Sequence, residues 1–426
     1  MREPRTTRPN ATGPERGRRA PRSTIVQPTR RQLAPLAVIV AAALAAGCAT
    51  STTTRPAAGA EPAVRTVYGK AELQRDADAI RALGVTGVQA RVTAQGRPDI
   101  VATSGVGDRR TGRPVPPNGY FRIGSSTKTF VATVVLQLVG EGRLSLDDTV
   151  ERRLPGVVHG KNDGNKITVR HLLQHTSGIH DDMPSFSSAA DYYRHRYDVY
   201  SPEQLVARAM RHPPDFEPGK KGAWNYSGTG YLLLGMIIER VTGRPWHKAV
   251  EQRIINKLGL TGMVWPYTSP AVPRPHARAY ERFKAGEPLV DVTSVIDANS
   301  AHGYIGKTAD LDRFFRALLS GRLLNSAGLA QMRDQPVPVQ GPVKELWPDA
   351  RSGLGLFSRT LPCGGEYWGH SGDLGGYMTR NGFTADGRRG VVISMSTEQT
   401  DSPDNFMRQD KAASTLIENA LCAKQR

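Results

Sequence analysis

Only three cysteines, Cys48, Cys363 and Cys422, occur in 426 residues. That is too few for a metal-cluster protein or a scaffold built on disulfides. The chain has no glycine-rich nucleotide loop and no internal repeat, which sets aside phosphate-cradling folds and solenoids. Long apolar runs are also missing. The longest, LAPLAVIVAAALAAG, has ~15 residues, short of the ~20 that span a bilayer as a helix. Acidic residues are the minority, 39 against 57 Lys and Arg, for a formal charge of +18. A basic balance invites a nucleic-acid reading. Here the basic residues are scattered, with no basic helix, zinc-finger spacing or aromatic-interleaved run, so no nucleic-acid partner is expected. A basic surface equally suits an anionic envelope.

The N-terminus reads as an address. Residues 1–48 hold nine Arg and two Glu, or +7, leaving 18 − 7 = +11 for residues 49–426. An Arg-rich stretch, the short apolar run and small residues before Cys48 describe an export signal. Ala-Ala-Gly-Cys48 resembles a relaxed lipoprotein box, with Ala45 where Leu is usual and Leu44 one step earlier. The alternative is an ordinary signal peptide with Cys48 discarded. The Thr/Ala/Pro-rich stretch that follows reads as a flexible tether. Residues 1–65 are therefore set apart, and residues 66–426 form the folded domain. The expected location is outside the cell membrane, lipid-anchored through Cys48 or secreted. In that oxidising setting Cys363 and Cys422 suggest one bridge; two unrelated buried thiols is the other reading.

Strand-like patterns lie at both ends of the domain and helical ones in the middle. AELQRDADAIRALG (71–84) has helical period, and VQARVTAQGRPDIVATSGVGD (88–108) reads as a hairpin. From Ser125 onward, Phe130, Val131, Val134, Val135, Leu138 and Val139 fall on one helical face. ITVRHLLQHTSG and GYLLLGMIIERVTG are helical, and strands return over 354–396 before a last helix near 403–421. The fold expected is α+β: an antiparallel sheet built from both chain ends, about 66–124 and 296–426, with flanking helices. A mainly helical region, about 125–295, is inserted between them.

Three patches carry chemistry. In Ser125-Ser126-Thr127-Lys128 a helix places Ser125 and Lys128 on one face. A serine hydroxyl is a weak nucleophile until a base takes its proton, and a desolvated lysine can be that base. Ser126 has Thr129 at the same spacing, so Ser125 is the candidate. The second patch is Tyr226-Ser227-Gly228, where a tyrosine near a lysine can shuttle a proton. The third is His370-Ser371-Gly372-Asp373, a strand edge able to lend a backbone N–H to an oxyanion. His171 and His175 have zinc-helix spacing, but Leu172 stands where the glutamate is needed, so the pair reads as helix and turn structure. No metal and no cofactor are expected.

Together these residues resemble the serine β-lactamase and penicillin-binding family, most of all the Streptomyces-type D-alanyl-D-alanine carboxypeptidases and class C β-lactamase-like proteins. The likeness runs over nearly all of 75–422. It implies an exported serine hydrolase with Ser125 acylated and with Lys128 and Tyr226 moving protons. His370, Ser371 and Gly372 would form the substrate-facing third motif, and the amides of Ser125 and Asp373 the oxyanion hole. Cys363 and Cys422 are similar to a disulfide pair of the carboxypeptidases. The implied substrate is a D-alanyl-D-alanine peptide end. β-Lactam, ester or D-amino-acid amide hydrolysis, or penicillin binding without catalysis, are the alternatives. The expected form is a monomer whose partner is a small peptide, lactam or ester. Three positions depart from the pattern, one of them Asp373, an acidic side chain beside the oxyanion site that would weaken binding of anionic substrates. Gly228 replaces an amide-holding Asn, and Phe357 stands where an Arg would bind a terminal carboxylate. Arg359, two residues on, would share its strand face and is the candidate substitute.

Overall fold

The computed structural model describes residues 67–423. The export signal, the tether and Cys48 lie outside the described residues. The largest sheet has nine strands. From one edge they run Ile100–Gly105, Gly87–Ala94, Arg389–Met395, Tyr377–Thr384, Glu366–Gly369, Phe357–Thr360, Arg351–Ser352 and Val337–Pro338. The ninth, Gly372–Leu374, pairs with Tyr377–Thr384. The central pairings are antiparallel, and the N-terminal strand Gly87–Ala94 lies directly against Arg389–Met395. Both chain ends thus build one sheet.

Both faces of the sheet are covered, and its central strands Tyr377–Thr384 and Arg389–Met395 are accordingly buried almost continuously rather than at alternate positions. The helices Lys70–Ala82 and Pro403–Cys422 bury Leu73, Ala77, Leu416 and Ile417 with Ile393 and Met395. The helix Thr308–Leu319 lies on the opposite face, where Phe315 stacks on Phe383 with ring centroids 5.0 Å apart. Behind it stands the helical region, whose central member is Thr127–Gly140. Every residue of this helix from Phe130 to Leu136 is buried, and the one polar side chain among them, Thr133, donates to the Thr129 carbonyl at 2.7 Å. Phe130 stacks on Phe314 at 3.6 Å; burying such a side chain is worth roughly 1.5–3 kcal/mol.

Two local details differ from expectation and both concern the site. The α-helix begins at Thr127; Gly124–Ser126 is a separate tight 3₁₀ turn. Gly124 has φ +53°, a backbone state that glycine adopts without steric cost. The strand expected to run through His370 and Ser371 is interrupted there, and its register against Tyr377–Thr384 resumes unchanged at Gly372. Cys363 and Cys422 are bonded, joining the turn before Glu366 to the end of the last helix.

Candidate active site

The strand Phe121–Arg122 is held by Ile305–Gly306 and delivers the chain into the Gly124–Ser126 turn. Ser125 leaves that turn half-buried, and Lys128 follows on the first turn of the helix. Lys128 Nζ lies 3.1 Å from Ser125 Oγ and donates to the Ala301 carbonyl at 2.9 Å. The ammonium is 1% exposed and also lies 4.7 Å from the centre of the Tyr226 ring. Burial disfavours its charged form and brings its pKa down to about 7, while Asp181 and Asp297 pull the other way. At neutral pH a substantial fraction is free amine. The Tyr226 hydroxyl lies within reach of Ser125 and is held protonated by burial.

Behind Tyr226 stands a box of aromatic rings. His175 packs on it at 4.5 Å between ring centroids, and Trp224, Phe357 and His370 close the sides. The Ser227 N–H donates to His175 Nδ1 at 3.1 Å, so the proton of the neutral ring sits on Nε2. His370 has the other tautomer. Its Nδ1 meets the Ser371 carbonyl at 2.6 Å, and a carbonyl can only accept. Burial, then the Lys128 charge, brings the His370 pKa down to about 3, so the ring is neutral. Both Nε2 atoms are buried without a partner among the described residues.

The interruption at His370 has a physical cause. Asn381 faces it across the sheet and uses its side chain as a ladder rung. The His370 N–H donates to Asn381 Oδ1 at 3.0 Å, and Asn381 Nδ2 donates to the His370 carbonyl at 2.7 Å. The Ser126 hydroxyl donates to the same carbonyl at 2.7 Å. Ser126, set aside as a nucleophile, therefore fastens the third motif to the nucleophile turn. The two segments then touch backbone to backbone. A Cβ added at Gly372 would stand 2.0 Å from the Ile123 carbonyl oxygen and 2.8 Å from Ser125 N. One added at Gly124 would stand 2.6 Å from Asp373 N. The amide nitrogens of Ser125 and Asp373 accordingly lie on backbone segments in direct contact, the proximity that a two-amide oxyanion site requires.

Asp373 does not present an uncompensated charge there. Arg380 donates to its carboxylate at 2.7 Å and also binds the buried Asp410. Arg359 is a correction to the sequence reading. Its guanidinium donates to Ser414 Oγ at 2.8 Å and lies near Asp349 and Glu418. It therefore serves the C-terminal helix. Phe357 does reach the site, as a wall of the box. Gly228 opens the helix Gly228–Thr242, which Ser227 caps. Beside it stands Asp181, which sequence reasoning passed over. Its Oδ1 accepts from Thr229 N at 3.0 Å and Thr229 Oγ1 at 3.1 Å. His175 was read as turn structure and is that as well, ending the helix Val169–Gln174 at φ 61°. No side-chain motif distinguishes Asp181 or Asn381 in the sequence. No group of His, Cys, Asp or Glu among the described residues is arranged to hold a metal.

A family model, Beta-lactamase, matches residues 73–415. The chain belongs to the Beta-lactamase family. Within it, a D-stereospecific amidohydrolase from Streptomyces sp. is 40% identical with a TM-score of 0.72, covering 80% of this chain and 97% of that one. The D-amino acid amidase of Ochrobactrum anthropi SV3, complexed with L-phenylalanine amide, is 27% identical with a TM-score of 0.71, covering 82% and 97%. Penicillin-binding protein 4* of Bacillus subtilis (strain 168) is 28% identical over 301 residues, 68% of this chain and 63% of its own length. The chain thus spans less than two thirds of that curated relative. The family is one of β-lactamase-fold serine hydrolases.

Proposed function

We propose that this family member hydrolyses amide bonds of D-amino-acid derivatives through an acyl-enzyme on Ser125. The observation that carries the chemistry is the 3.1 Å approach of Ser125 Oγ to a buried lysine whose pKa lies at about 7. Free-base Lys128 takes the Ser125 proton as Oγ bonds to the amide carbon. The oxygen that gains charge faces the amide N–H groups of Ser125 and Asp373. The C–N bond then breaks. The leaving nitrogen takes a proton from Tyr226, which recovers one from Lys128. Water then attacks the ester carbon and passes a proton to the same pair; the C–Oγ bond breaks, that proton returns to Ser125 Oγ, and the acid leaves.

The choice of an amide over a D-alanyl-D-alanine end rests on carboxylate handling. A peptide with a free C-terminus brings a carboxylate to the third motif, where the flanking strands offer Arg359 and Arg380. The first is engaged by the C-terminal helix, the second by Asp373 and Asp410. A cavity of about 540 Å³ with Met183, Phe186, Trp265 and Tyr267 among its walls lies next to Gly228, where an added Cβ would stand 3.1 Å from Met183 Cγ. The likeness to an amidohydrolase over nearly its whole length supports the same reading. Carboxypeptidase activity is the second reading, favoured by the half-buried Ser371 hydroxyl at the substrate edge.

A panel of a D-amino-acid amide, its L isomer, a D-alanyl-D-alanine peptide, a chromogenic lactam and a short ester separates these readings. The expected outcome is turnover of the D amide above the others. Intact mass should show a covalent lactam adduct that Ser125→Ala abolishes. Absence of both adduct and turnover in the wild type overturns the acyl-enzyme itself.

A further inference from the structure

We propose that Asp181 contacts the substrate and receives the free ammonium group of an unblocked D-aminoacyl donor. This rests on the amide-hydrolase reading and names the part of the substrate that gives it selectivity.

The argument begins with the side chain that Gly228 lacks. A Cβ at that position would stand 3.1 Å from Met183 Cγ, 3.4 Å from Asp181 Oδ1 and 3.6 Å from Ala301 Cβ. Asp181 therefore borders the space that any side chain at 228 would cover. Ala301, on the other border, supplies the carbonyl that holds Lys128. The carboxylate is thus next to the catalytic lysine's own anchor. Its field reaches both Lys128 and Tyr226.

The carboxylate is also fixed. Oδ1 is clamped by the Thr229 N–H and hydroxyl at the start of a long helix, and Thr229 is fully buried. No hydrogen bond from a described residue reaches Oδ2. Among the described residues no Lys, Arg or His makes an ion pair with Asp181, whereas its neighbour Asp182 is paired with Arg208 and His212. A half-buried anion with one oxygen anchored and no cation beside it is completed by a cationic ligand.

The chemistry of the substrate supplies that cation in the right place. In an amino-acid amide the ammonium nitrogen is two bonds from the carbonyl carbon, or ~2.5 Å. A substrate seated with that carbon on Ser125 must place its ammonium in the immediate neighbourhood of the nucleophile. Acylating the nitrogen removes the charge and leaves the carboxylate desolvated without compensation.

The test compares D-phenylalanine p-nitroanilide with its N-acetyl derivative on wild type and Asp181→Asn. The variant keeps an oxygen for Thr229 and loses the charge. Wild type should favour the unblocked substrate in kcat/KM by roughly ten- to hundredfold, the value of one charge-assisted hydrogen bond. In Asp181→Asn that ratio should collapse toward unity. An unchanged ratio, with both substrates slowed alike, would make Asp181 structural and overturn the proposal. The wild type alone gives a second test, which does not depend on the variant folding: 3-phenylpropionamide, which lacks the amino group, should be cleaved roughly tenfold or more slowly than D-phenylalaninamide. Preference for the acetylated or amino-free compound overturns this inference and leaves the amide-hydrolase reading intact. Failure to cleave any D amide overturns both.

Discussion

At the scale of single residues, the site depends on keeping a lysine uncharged by withholding water from it. Lys128 is fully enclosed, and its partner at Ala301 is a neutral carbonyl. A pKa of about 7 makes it a base near physiological pH. The sign follows directly. Below pH 7 the lysine is protonated and cannot accept the Ser125 proton. Above pH 7 it is free, so kcat/KM for an amide that carries no titratable amino group should rise with pH through an inflection near 7 and then level. A pH–rate profile with such an amide checks this. Lys128→Arg cannot deprotonate and should lower kcat/KM by roughly 10²–10⁴-fold while removing that limb. His370 contributes no competing inflection in this range, because its pKa of about 3 leaves it neutral.

At the scale of elements, the nucleophile turn and the third-motif strand act as one rigid pair. The main ladder does not hold them together. The work falls to Ser126, Asn381 and the two glycines that let the backbones touch. Asn381→Leu leaves the His370 N–H without its acceptor in a buried place. That should cost about 1–3 kcal/mol, read as a lower midpoint in urea melts. The same loosening moves the Asp373 amide relative to that of Ser125. Acylation by a chromogenic lactam should slow by roughly tenfold or more. A destabilised variant with unchanged acylation would show that the latch is structural only.

Across the whole molecule, the sheet is closed from both chain ends, and the bond from Cys363 to Cys422 ties the last helix to the strand leading into His370. The loop it closes spans 59 residues. Constraining an unfolded loop of this size is worth about 2–4 kcal/mol. Cys363→Ser, or reduction of the wild type, should lower Tm by a corresponding amount. The proposed catalytic groups Ser125, Lys128 and Tyr226 lie on other elements, so kcat/KM below the melting transition should be affected far less. A variant with unchanged Tm would show that the bond adds nothing to folding.

How much of this was legible in the sequence depends on the range of each interaction. Ser125 and Lys128 are three residues apart, and helical spacing alone selects that serine over Ser126. Ser227 capping the helix at Gly228, the hairpin at 88–108 and the burial of Phe130 to Leu138 are equally local consequences of propensity and period. Arg359 shows where such reasoning stops. It does follow Phe357 on the same strand, but two residues advance the chain by ~6.6 Å. That carries its side chain away from His370 to Ser414 and Glu418. Asn381 opposite His370, Ala301 on Lys128 and Asp181 beside Gly228 were decided by tertiary structure alone. Each pairing joins segments from 11 to 173 residues apart. Which buried polar group meets which is set by how the sheet and helices pack, and no local spacing encodes it. The sequence by itself determined the candidate nucleophile, its lysine and the elements that carry them. Only the packing of those elements decided what surrounds the nucleophile, because desolvation and charge compensation are properties of the assembled interior.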